Sequence, residues 1–440
     1  MLFFFFSSVP LTAKLEIECS ASDVERSTTI SEVVYALESI MRSISGVLSV
    51  SFNQDFGCFA CGLDSGFRVF NTDPLKHSYE EKLSGGIAKV EMLFRCNYIA
   101  LIGGGSTPAF PTNVVVIWDV VNRKEVVRLE MSGDVNGVRL RRDRIVVVLE
   151  TTVHVFSFTD NPRQLHVFDS SRNPRGICCL CPSSDNSLLA FPSPSSPSAV
   201  MCINLGEPDA PSRNIIAHMR PLSAISLNST GTQIATASEK GTIIRVFDTM
   251  TCTVLRELRR GTNPAIIFCL NFSSDSSMLC VSSNHNTVHL FSLNEEKKKK
   301  TPLRKLSLPG EVSFSRFQLP FCTKKAEVCI CAFGPQPESI IAISSDGGYC
   351  KFNFDRLHGA MCQLISSRSA LGLFDSPTLM YEDGFVFSII YASLIGFCLR
   401  IIIYRFIFIV LKKISLLFCV FQYAVIHDIY SICSKICVKL

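Results

Sequence analysis

Two adjacent arginines, in the stretch Leu258-Arg259-Arg260-Gly261, are the residues of this sequence best suited to bind an anion. A guanidinium group is planar, keeps its charge and donates paired hydrogen bonds to phosphate oxygens. Neighbouring residues of a β-strand point to opposite sides, so the two side chains should serve two separate sites. Because an arginine pair on a surface strand is often only solvated charge, the surrounding residues must decide between the two interpretations.

Hydroxyl and imidazole side chains flank the arginine pair on both sides in the sequence. They are Thr236, Ser238 and Thr242 before the pair, and Ser282, Ser283, His285 and Thr287 after it. Such groups form hydrogen bonds with the oxygens of a phosphorylated polyol. These side chains are hydrogen-bond donors of the kind that a phosphorylated polyol needs, so the stretch is a candidate phosphate site, with solvated surface charge as the alternative.

No motif of a common enzyme class accompanies these residues. The stretch Gly103-Gly104-Gly105-Ser106-Thr107 lacks the lysine of a phosphate-binding P-loop and precedes no predicted helix. The sequence also lacks Gly-x-Ser-x-Gly, His-Glu-x-x-His and a clustered acid pair. We therefore expect a protein that is not an enzyme and needs no cofactor.

Composition narrows the class of protein further. The 440 residues are 47% hydrophobic, which is enough to bury a sizeable core, and the net charge of +5 is too small for a general nucleic-acid binder. The 20 cysteines fall mostly within apolar runs, which predicts buried thiols in a reducing, cytoplasmic compartment. Cys58 and Cys61, and the group Cys178, Cys179 and Cys181, lack a second ligand pair at zinc spacing, so we expect no metal site.

Internal repeats of about 40 residues predict the fold, because this is the period of a β-propeller blade. Each unit reads as short strands separated by turns rich in Asn, Asp, Ser and Gly. The seven units are Ser49 to Phe70, Val90 to Asp119, Val135 to Phe158, Gly176 to Leu205, Ser223 to Leu258, Phe268 to Phe291 and Val312 to Phe354. The sequence thus predicts an all-β, seven-bladed, WD-repeat-like propeller over residues 45–370.

Four segments do not fit the blade repeat: one on either side of the propeller and two within it. Residues 1–44 form an amino-terminal extension with helical spacing from Ile30 to Arg42, and residues 371–440 form an apolar tail. Ser193 to Ser198 reads as a surface loop, and Asn294 to Gly310 as a basic excursion between strands. The tail is either a membrane-spanning segment or an extension without a function, and we favour the second interpretation.

Several stretches make the sequence similar to the PROPPIN family, the β-propellers that bind polyphosphoinositides, and within it to the WIPI-type autophagy proteins. The resemblance covers about residues 45–355 and includes the arginine pair. The matching stretches are Phe52 to Asp55, Gly66 to Leu75, Val90 to Asn97, Val138 to Val148, Gln164 to Phe168, Asn186 to Pro192, Ala235 to Thr242 and Leu258 to Gly261.

The resemblance implies two pockets on one rim for phosphatidylinositol 3-phosphate and phosphatidylinositol 3,5-bisphosphate. Carried over by position, the first pocket consists of Arg259, His218, Ser238 and Thr242, and the second of Arg260, Ser282, His285 and Thr287. Related chains tend to have Asp and Gly where this sequence has Asn284 and Asn286. This departure is of the kind expected in a pocket that no longer binds a lipid. Asn tolerates a positive φ, so the turn can survive.

The resemblance also implies contacts outside the pockets. A loop of the sixth blade touches the bilayer in this family, and Lys297, Lys298, Lys299 and Lys300 occupy that place. Asn53 and Asp55 either form a turn or engage a long lipid-transfer protein of autophagy. We expect a monomeric cytoplasmic adaptor, peripheral on preautophagosomal and endosomal membranes, that binds no nucleic acid. A protein-only scaffold and an integral membrane protein are the alternatives.

Overall fold

Short runs of β-branched and aromatic residues, interrupted by Asn, Asp, Ser and Gly, form 29 strands in the computed structural model. It describes residues 46–207, 211–294, 310–320, 328–336, 338–345, 347–356 and 362–369. The strands form seven sheets, each a radial blade of an all-β propeller. The predicted helix at 30–42, the lysine run at 297–300 and the tail from residue 371 lie outside the described residues. Among the residues that are described, no helix has the length and hydropathy that crossing a membrane requires.

The first four blades each take four consecutive strands. Blade 1 contains β1 (Val47–Phe52), β2 (Cys58–Leu63), β3 (Gly66–Asn71) and β4 (Lys76–Lys82). Blade 2 contains β5 (Ile87–Met92), β6 (Tyr98–Gly103), β7 (Val114–Asp119) and β8 (Lys124–Glu130). Blade 3 contains β9 (Gly137–Arg141), β10 (Arg144–Val148), β11 (Thr152–Ser157) and β12 (Gln164–Asp169). Blade 4 contains β13 (Cys179–Leu180), β14 (Leu188–Ser193), β15 (Ser196–Asn204) and β16 (Arg213–Ile216).

The last three blades differ at one point, where the chain returns from blade 6 to blade 5. Blade 5 contains β17 (Leu222–Leu227), β18 (Gln233–Ser238), β19 (Ile243–Asp248) and β20 (Val254–Arg259), with β24 (Glu311–Val312) as a fifth strand parallel to β20. Blade 6 contains β21 (Ile267–Phe272), β22 (Met278–Ser283), β23 (Thr287–Ser292) and β25 (Ser315–Gln318). Blade 7 contains β26 (Cys329–Phe333), β27 (Ser339–Ser344), β28 (Gly348–Asn353) and β29 (Gln363–Ser369).

Two predicted boundaries were wrong. The seventh unit does not begin at Val312, because Val312 pairs with Arg259 of blade 5 and the next strand completes blade 6. The surface loop predicted from Ser193 to Ser198 is shorter than expected: only Pro194 and Ser195 form an exposed turn, because Ser193 ends β14 and is fully buried, and Ser196 begins β15. Serine and proline are typical of loops, which is why the sequence predicts a loop here. The hairpin turn needs only two residues between the strands, so the other serines belong to β14 and β15.

The two faces of each blade pack against its two neighbours, because side chains alternate along a strand. On blade 5, Ile234 and Phe247 join a core cluster with blade 4, whereas Ala235 and Val246 join a cluster with blade 6. The same alternation places Cys58 against blade 2 and Cys61 against blade 7, so the two thiols lie on opposite faces.

The ring closes by packing of blade 7 against blade 1. The hydroxyl of Tyr349 donates a hydrogen bond of 2.8 Å to the carbonyl oxygen of Thr72, and Lys351 Nζ lies 2.8 Å from Asp73 Oδ2. Phe59 and Phe70 of blade 1 share a core cluster with Ile341 of blade 7. Closure therefore combines apolar burial with a mostly buried ion pair.

Four neighbouring turns at one end of the strands form what we call the upper edge. In blade 5, β18 and β20 end there and β17 and β19 begin there, because the four strands are antiparallel. The edge comprises the turns 216–221, 238–242, 259–266 and 283–287. It is the part of the propeller that carries the arginine pair.

Candidate functional site

Arg259 lies on the face of blade 5 that packs against blade 4. It ends β20 and pairs with Ile243 of β19. Since Ala237 pairs with Ile244, Ser238 is the next residue of β18 and lies level with Ile243. Cross-strand neighbours share a face, so the strand register places Ser238 and Arg259 on the same side of the blade.

The turn that carries His218 lies against this same face. The Nε2 atom of His218 lies 3.0 Å from the Oγ1 atom of Thr236, and Arg245 Nη1 donates a 2.7 Å hydrogen bond to the carbonyl oxygen of Ala217. Burial, together with the positive charge of Arg245, lowers the pKa of His218 to about 4. The imidazole is therefore neutral near pH 7. Thr242, also predicted here, is buried in the adjoining turn, where its carbonyl oxygen accepts the backbone N–H of Arg260.

Arg260 is buried and turned toward blade 6. Its Nε donates a 2.8 Å hydrogen bond to the carbonyl oxygen of Gly241, and its Nη2 donates to the carbonyl oxygen of Asn263. Burial lowers the pKa of the guanidinium below its ordinary value. In the described part of the chain, its hydrogen-bond partners are neutral carbonyl groups and not carboxylates.

Blade 6 places more positive charge beside Arg260. Burial, followed by the charges of Arg260, Arg316 and His285, lowers the pKa of His289 to about 4. The Nδ1 atom of His289 lies 3.1 Å from Ser313 Oγ, and its Nε2 atom lies 3.5 Å from Thr287 Oγ1.

An open cleft of about 500 Å³ lies between blades 5 and 6 at this point. Its lining includes Arg260, His289 and Arg316 together with residues 312–315. Arg259, at the end of β20, also borders the cleft, although the strand register places its side chain on the blade-4 face. A cleft with this lining would attract an anion, because hydrogen-bond donors and positive charge converge while no acidic residue contributes to the lining.

His285 lies beside the cleft, in the turn that joins β22 to β23. It is exposed, and its Nε2 atom lies 3.0 Å from the carbonyl oxygen of Pro264. Asn286 adopts a positive φ of 57°, and Asn284 accepts a hydrogen bond from the backbone N–H of Ile266. The two asparagines thus preserve the turn.

Ser282 does not belong to the second pocket, contrary to our expectation. It is fully buried, and its hydroxyl donates a 2.6 Å hydrogen bond to the carbonyl oxygen of Cys329 in blade 7. Ser283 occupies the place instead: it pairs with Thr287 and has a buried hydroxyl without a partner among the described residues. The turn after Ser283 has three residues and the turn after Ser238 has four, so aligning the two blades by sequence alone shifts the serine by one position.

Asn53 is a structural turn residue and cannot contact a partner protein. It is buried; its side-chain amide donates to the carbonyl oxygen of Phe94 at 3.1 Å and accepts the backbone N–H of Cys58 at 3.0 Å. Gln54, which we did not single out, links the same turn to blade 2 through Met92 and Phe94. Asp55 is exposed, with its Oδ2 atom 3.9 Å from Arg95 Nε, and so stays a candidate contact for a partner protein.

Sequence reasoning missed most of the residues that line the cleft beyond the arginine motif, among them His289, Arg316 and Ser313. His289 follows Thr287 by two positions and so shares its face, a signal that strand alternation could have provided. Arg316 pairs with His289 from β25, but a long excursion precedes β25 and hides this register. Ser313 lies between β24 and β25, in a part of the chain that the repeat pattern does not cover.

The fold is thus a seven-bladed β-propeller in which Arg259 ends β20 of blade 5, Arg260 follows it, and a basic cleft lies beside them. The model of the family described as PROPPIN matches residues 46–305. The chain belongs to the PROPPIN family.

Relatives of known sequence support this assignment. The chain is similar to SVP1-like protein 2 of Saccharomyces cerevisiae, with 37% identity over 56% of this chain and 63% of that protein. SVP1-like protein 2 of Pichia angusta is 38% identical over 58% and 72% of the two chains. Autophagy-related protein 18 of Mycosarcoma maydis is 36% identical over 58% and 60%. The chain thus spans less than two thirds of two of these three relatives.

Solved structures agree with the fold. Kluyveromyces lactis Hsv2 superposes with a TM-score of 0.63 at 25% identity, over 74% of this chain and 99% of that one. A second structure of the same protein superposes with a TM-score of 0.61 at 26% identity and the same coverage.

Proposed function

We propose that this chain is an adaptor that docks on membranes bearing phosphatidylinositol 3-phosphate or phosphatidylinositol 3,5-bisphosphate. The observation that carries the proposal is the environment of Arg260: a buried guanidinium with carbonyl partners, next to His289 and Arg316 in an open cleft. A phosphate group placed there would supply the missing negative charge and accept several charge-assisted hydrogen bonds.

Two headgroup sites act on one membrane in this proposal. Arg259 with His218, Ser238 and Thr242 forms the first site, and Arg260 with Ser283, His285, Thr287 and His289 forms the second. Because both sites lie at the upper edge of the same propeller, they bind by avidity, and membrane affinity exceeds that of either site alone.

The cellular role that we propose follows from the relatives. One of them carries the name autophagy-related protein 18, which supports a role in autophagy, and we place that role on preautophagosomal and endosomal membranes. There the adaptor would recruit a lipid-transfer protein of autophagy, with exposed Asp55 as the candidate contact on blade 1. Lys297 to Lys300 would add electrostatic attraction to anionic lipids, worth about 1 kcal/mol for each residue close to the surface.

Flotation with phosphatidylcholine vesicles that contain phosphatidylinositol 3-phosphate tests the proposal. Changing Arg259 and Arg260 together to Thr should abolish the inositide-dependent fraction without unfolding the propeller. Each single change should weaken binding at least roughly tenfold, because a hydrogen bond to a charged group contributes about 1.5–3 kcal/mol. Unchanged flotation of the folded double variant would refute the proposal.

Arg256→Thr is the matched control, because Arg256 lies on the same strand below the upper edge. It should leave flotation unchanged. The alternative function is a protein-only scaffold with degenerate pockets, although Asn284 and Asn286 keep the turn of the second site intact. Under that function, the wild-type chain would fail to float with inositide vesicles.

A further inference from the structure

Exposed apolar side chains flank the two proposed headgroup sites. Met219, one residue after His218, is 100% exposed, and Ile216 at the end of β16 is 82% exposed. Ile266 is 46% exposed and is hydrogen-bonded through its backbone to Asn284, next to His285. A single exposed apolar residue is ordinary, but here one stands beside each site.

Contacts to blade 5 fix these residues at the upper edge. The turn that carries Met219 is held by the bonds of Ala217 to Arg245 and of His218 to Thr236, on the face that bears Arg259. The turn that carries Ile266 is held by the bond from Arg260 to Asn263. A flat surface whose headgroups entered both sites would therefore meet Met219 and Ile266.

The charges around these residues suit an anionic surface. The four turns of the upper edge contain four Arg or Lys residues and one acidic residue, Glu239. Exposed Arg220 follows Met219 directly, and exposed Lys240 lies in the neighbouring turn. Apolar side chains bordered by basic ones are typical of surfaces that enter the interface of a bilayer with anionic lipids.

We propose that Met219 and Ile266 are membrane-anchoring residues that insert into the bilayer interface when the arginine pair holds its headgroups. The inference rests on the proposed function and extends it from headgroup recognition to hydrocarbon contact. Ile216, three residues before Met219, enlarges the apolar contact on the side of blade 4. The occupant of this surface is the lipid bilayer itself, and binding of a protein there is the competing outcome.

Two binding measurements test the inference on the full chain. Met219→Ser should weaken binding to vesicles with phosphatidylinositol 3-phosphate about tenfold. A tenfold change corresponds to roughly half to all of the free energy gained when one apolar side chain is buried. Ile266→Ser should have a similar effect, and Met219→Leu should retain the wild-type affinity. Affinity for the water-soluble inositol 1,3-bisphosphate should stay unchanged in all three variants.

Met250→Ser is the matched control. Met250 is also exposed, but it lies in the turn between β19 and β20 of blade 5, at the opposite end of the strands from Met219. Its change should leave vesicle binding intact.

The possible failures are distinguishable. If the wild-type chain binds inositide vesicles and Met219→Ser binds them equally well, the inference falls and the proposed function stands. An equal loss of affinity for vesicles and for soluble headgroup would make Met219 part of the pocket, which also overturns the inference. If the wild-type chain binds neither, both proposals fall together.

Discussion

The environment of Arg260 explains how a strand end becomes an anion site. Burying a guanidinium costs free energy unless an opposite charge or hydrogen bonds compensate for the lost water. Here two backbone carbonyls hold the side chain in place, and the nearby His289 and Arg316 contribute no negative charge. An incoming phosphate therefore meets a guanidinium that is already in position. Its negative charge compensates for the desolvation of Arg260, which occurs when the chain folds.

Two buried histidines make the free energy of unfolding depend on pH. The pKa values of His218 and His289 are lowered from 6.5 to about 4, so both imidazoles stay neutral in the folded state while the unfolded chain takes up protons below pH 6.5. The stability that they contribute is therefore complete above pH 6.5 and is lost as the pH falls toward 4. We expect a loss of about 2 kcal/mol for each histidine between about pH 7.5 and about pH 5, measured by urea unfolding.

The variants His218→Gln and His289→Gln should each flatten this pH dependence. Half-buried His166, on the outer strand of blade 3, provides the control His166→Gln, which should keep the wild-type slope. A slope that is the same in all three variants would show that the two histidines do not govern it.

At the scale of elements, the outer edge of blade 5 includes a strand, β24, that lies outside the sequence repeat of this blade. β24 returns from the excursion after β23, pairs with Leu258 and Arg259, and leads into the lining of the cleft. The repeat pattern predicted β17 to β20 because alternation and turn residues mark them in the sequence. It could not predict β24, whose pairing is non-local, nor the choice of Ser283 over Ser282, which depends on a turn one residue shorter.

Substitution by Ala should be damaging at Gly241 and harmless at Gly261. Gly241 has a φ of +60°, and an added Cβ would clash with the carbonyl oxygen of Ala265. Relieving that clash moves the carbonyl that accepts from Arg260, so Gly241→Ala should destabilise the chain by roughly 1–3 kcal/mol and weaken vesicle binding. At Gly261 an added Cβ meets open space, so Gly261→Ala should preserve both properties.

Urea unfolding and vesicle flotation measure the two effects, with Gly133→Ala as a further control because its Cβ also meets open space. Should Gly241→Ala bind like the wild type, the carbonyl of this turn would not position Arg260. Loss of binding in a stable Gly261→Ala chain would instead show that the glycine of the arginine motif contacts the membrane.

For the whole molecule, the seven-bladed ring is complete within residues 46–369. Blade 7 ends with β29 at Ser369, and Tyr349 and Lys351 already connect it to blade 1. The number of blades could be predicted from sequence because each blade repeats the same alternation. The partners that close the ring could not, because they lie more than 270 residues apart in the chain.

A chain ending at residue 370 should fold, stay soluble and bind inositide vesicles like the full chain. The described strands of the seven blades all lie within residues 47–369, and residues 371–440 lie outside the described residues. Arg400 and Arg405 would fall within any span drawn from Gly384 to Leu411, at a cost of roughly 2.5–3.5 kcal/mol each near the bilayer centre. The surrounding apolar residues could outweigh that cost, so membrane insertion of the tail is the competing outcome.

Circular dichroism, urea unfolding and flotation of the shortened chain measure these expectations, with the full chain analysed in parallel. A propeller that docks reversibly through Arg259 and Arg260 gains nothing from a permanent anchor, so carbonate at high pH should release the full chain from membranes. Retention after carbonate extraction, or failure of the shortened chain to fold, would show that the tail is an integral part of the protein. Equal stability and equal vesicle affinity of the two chains would assign folding and membrane docking to the propeller alone.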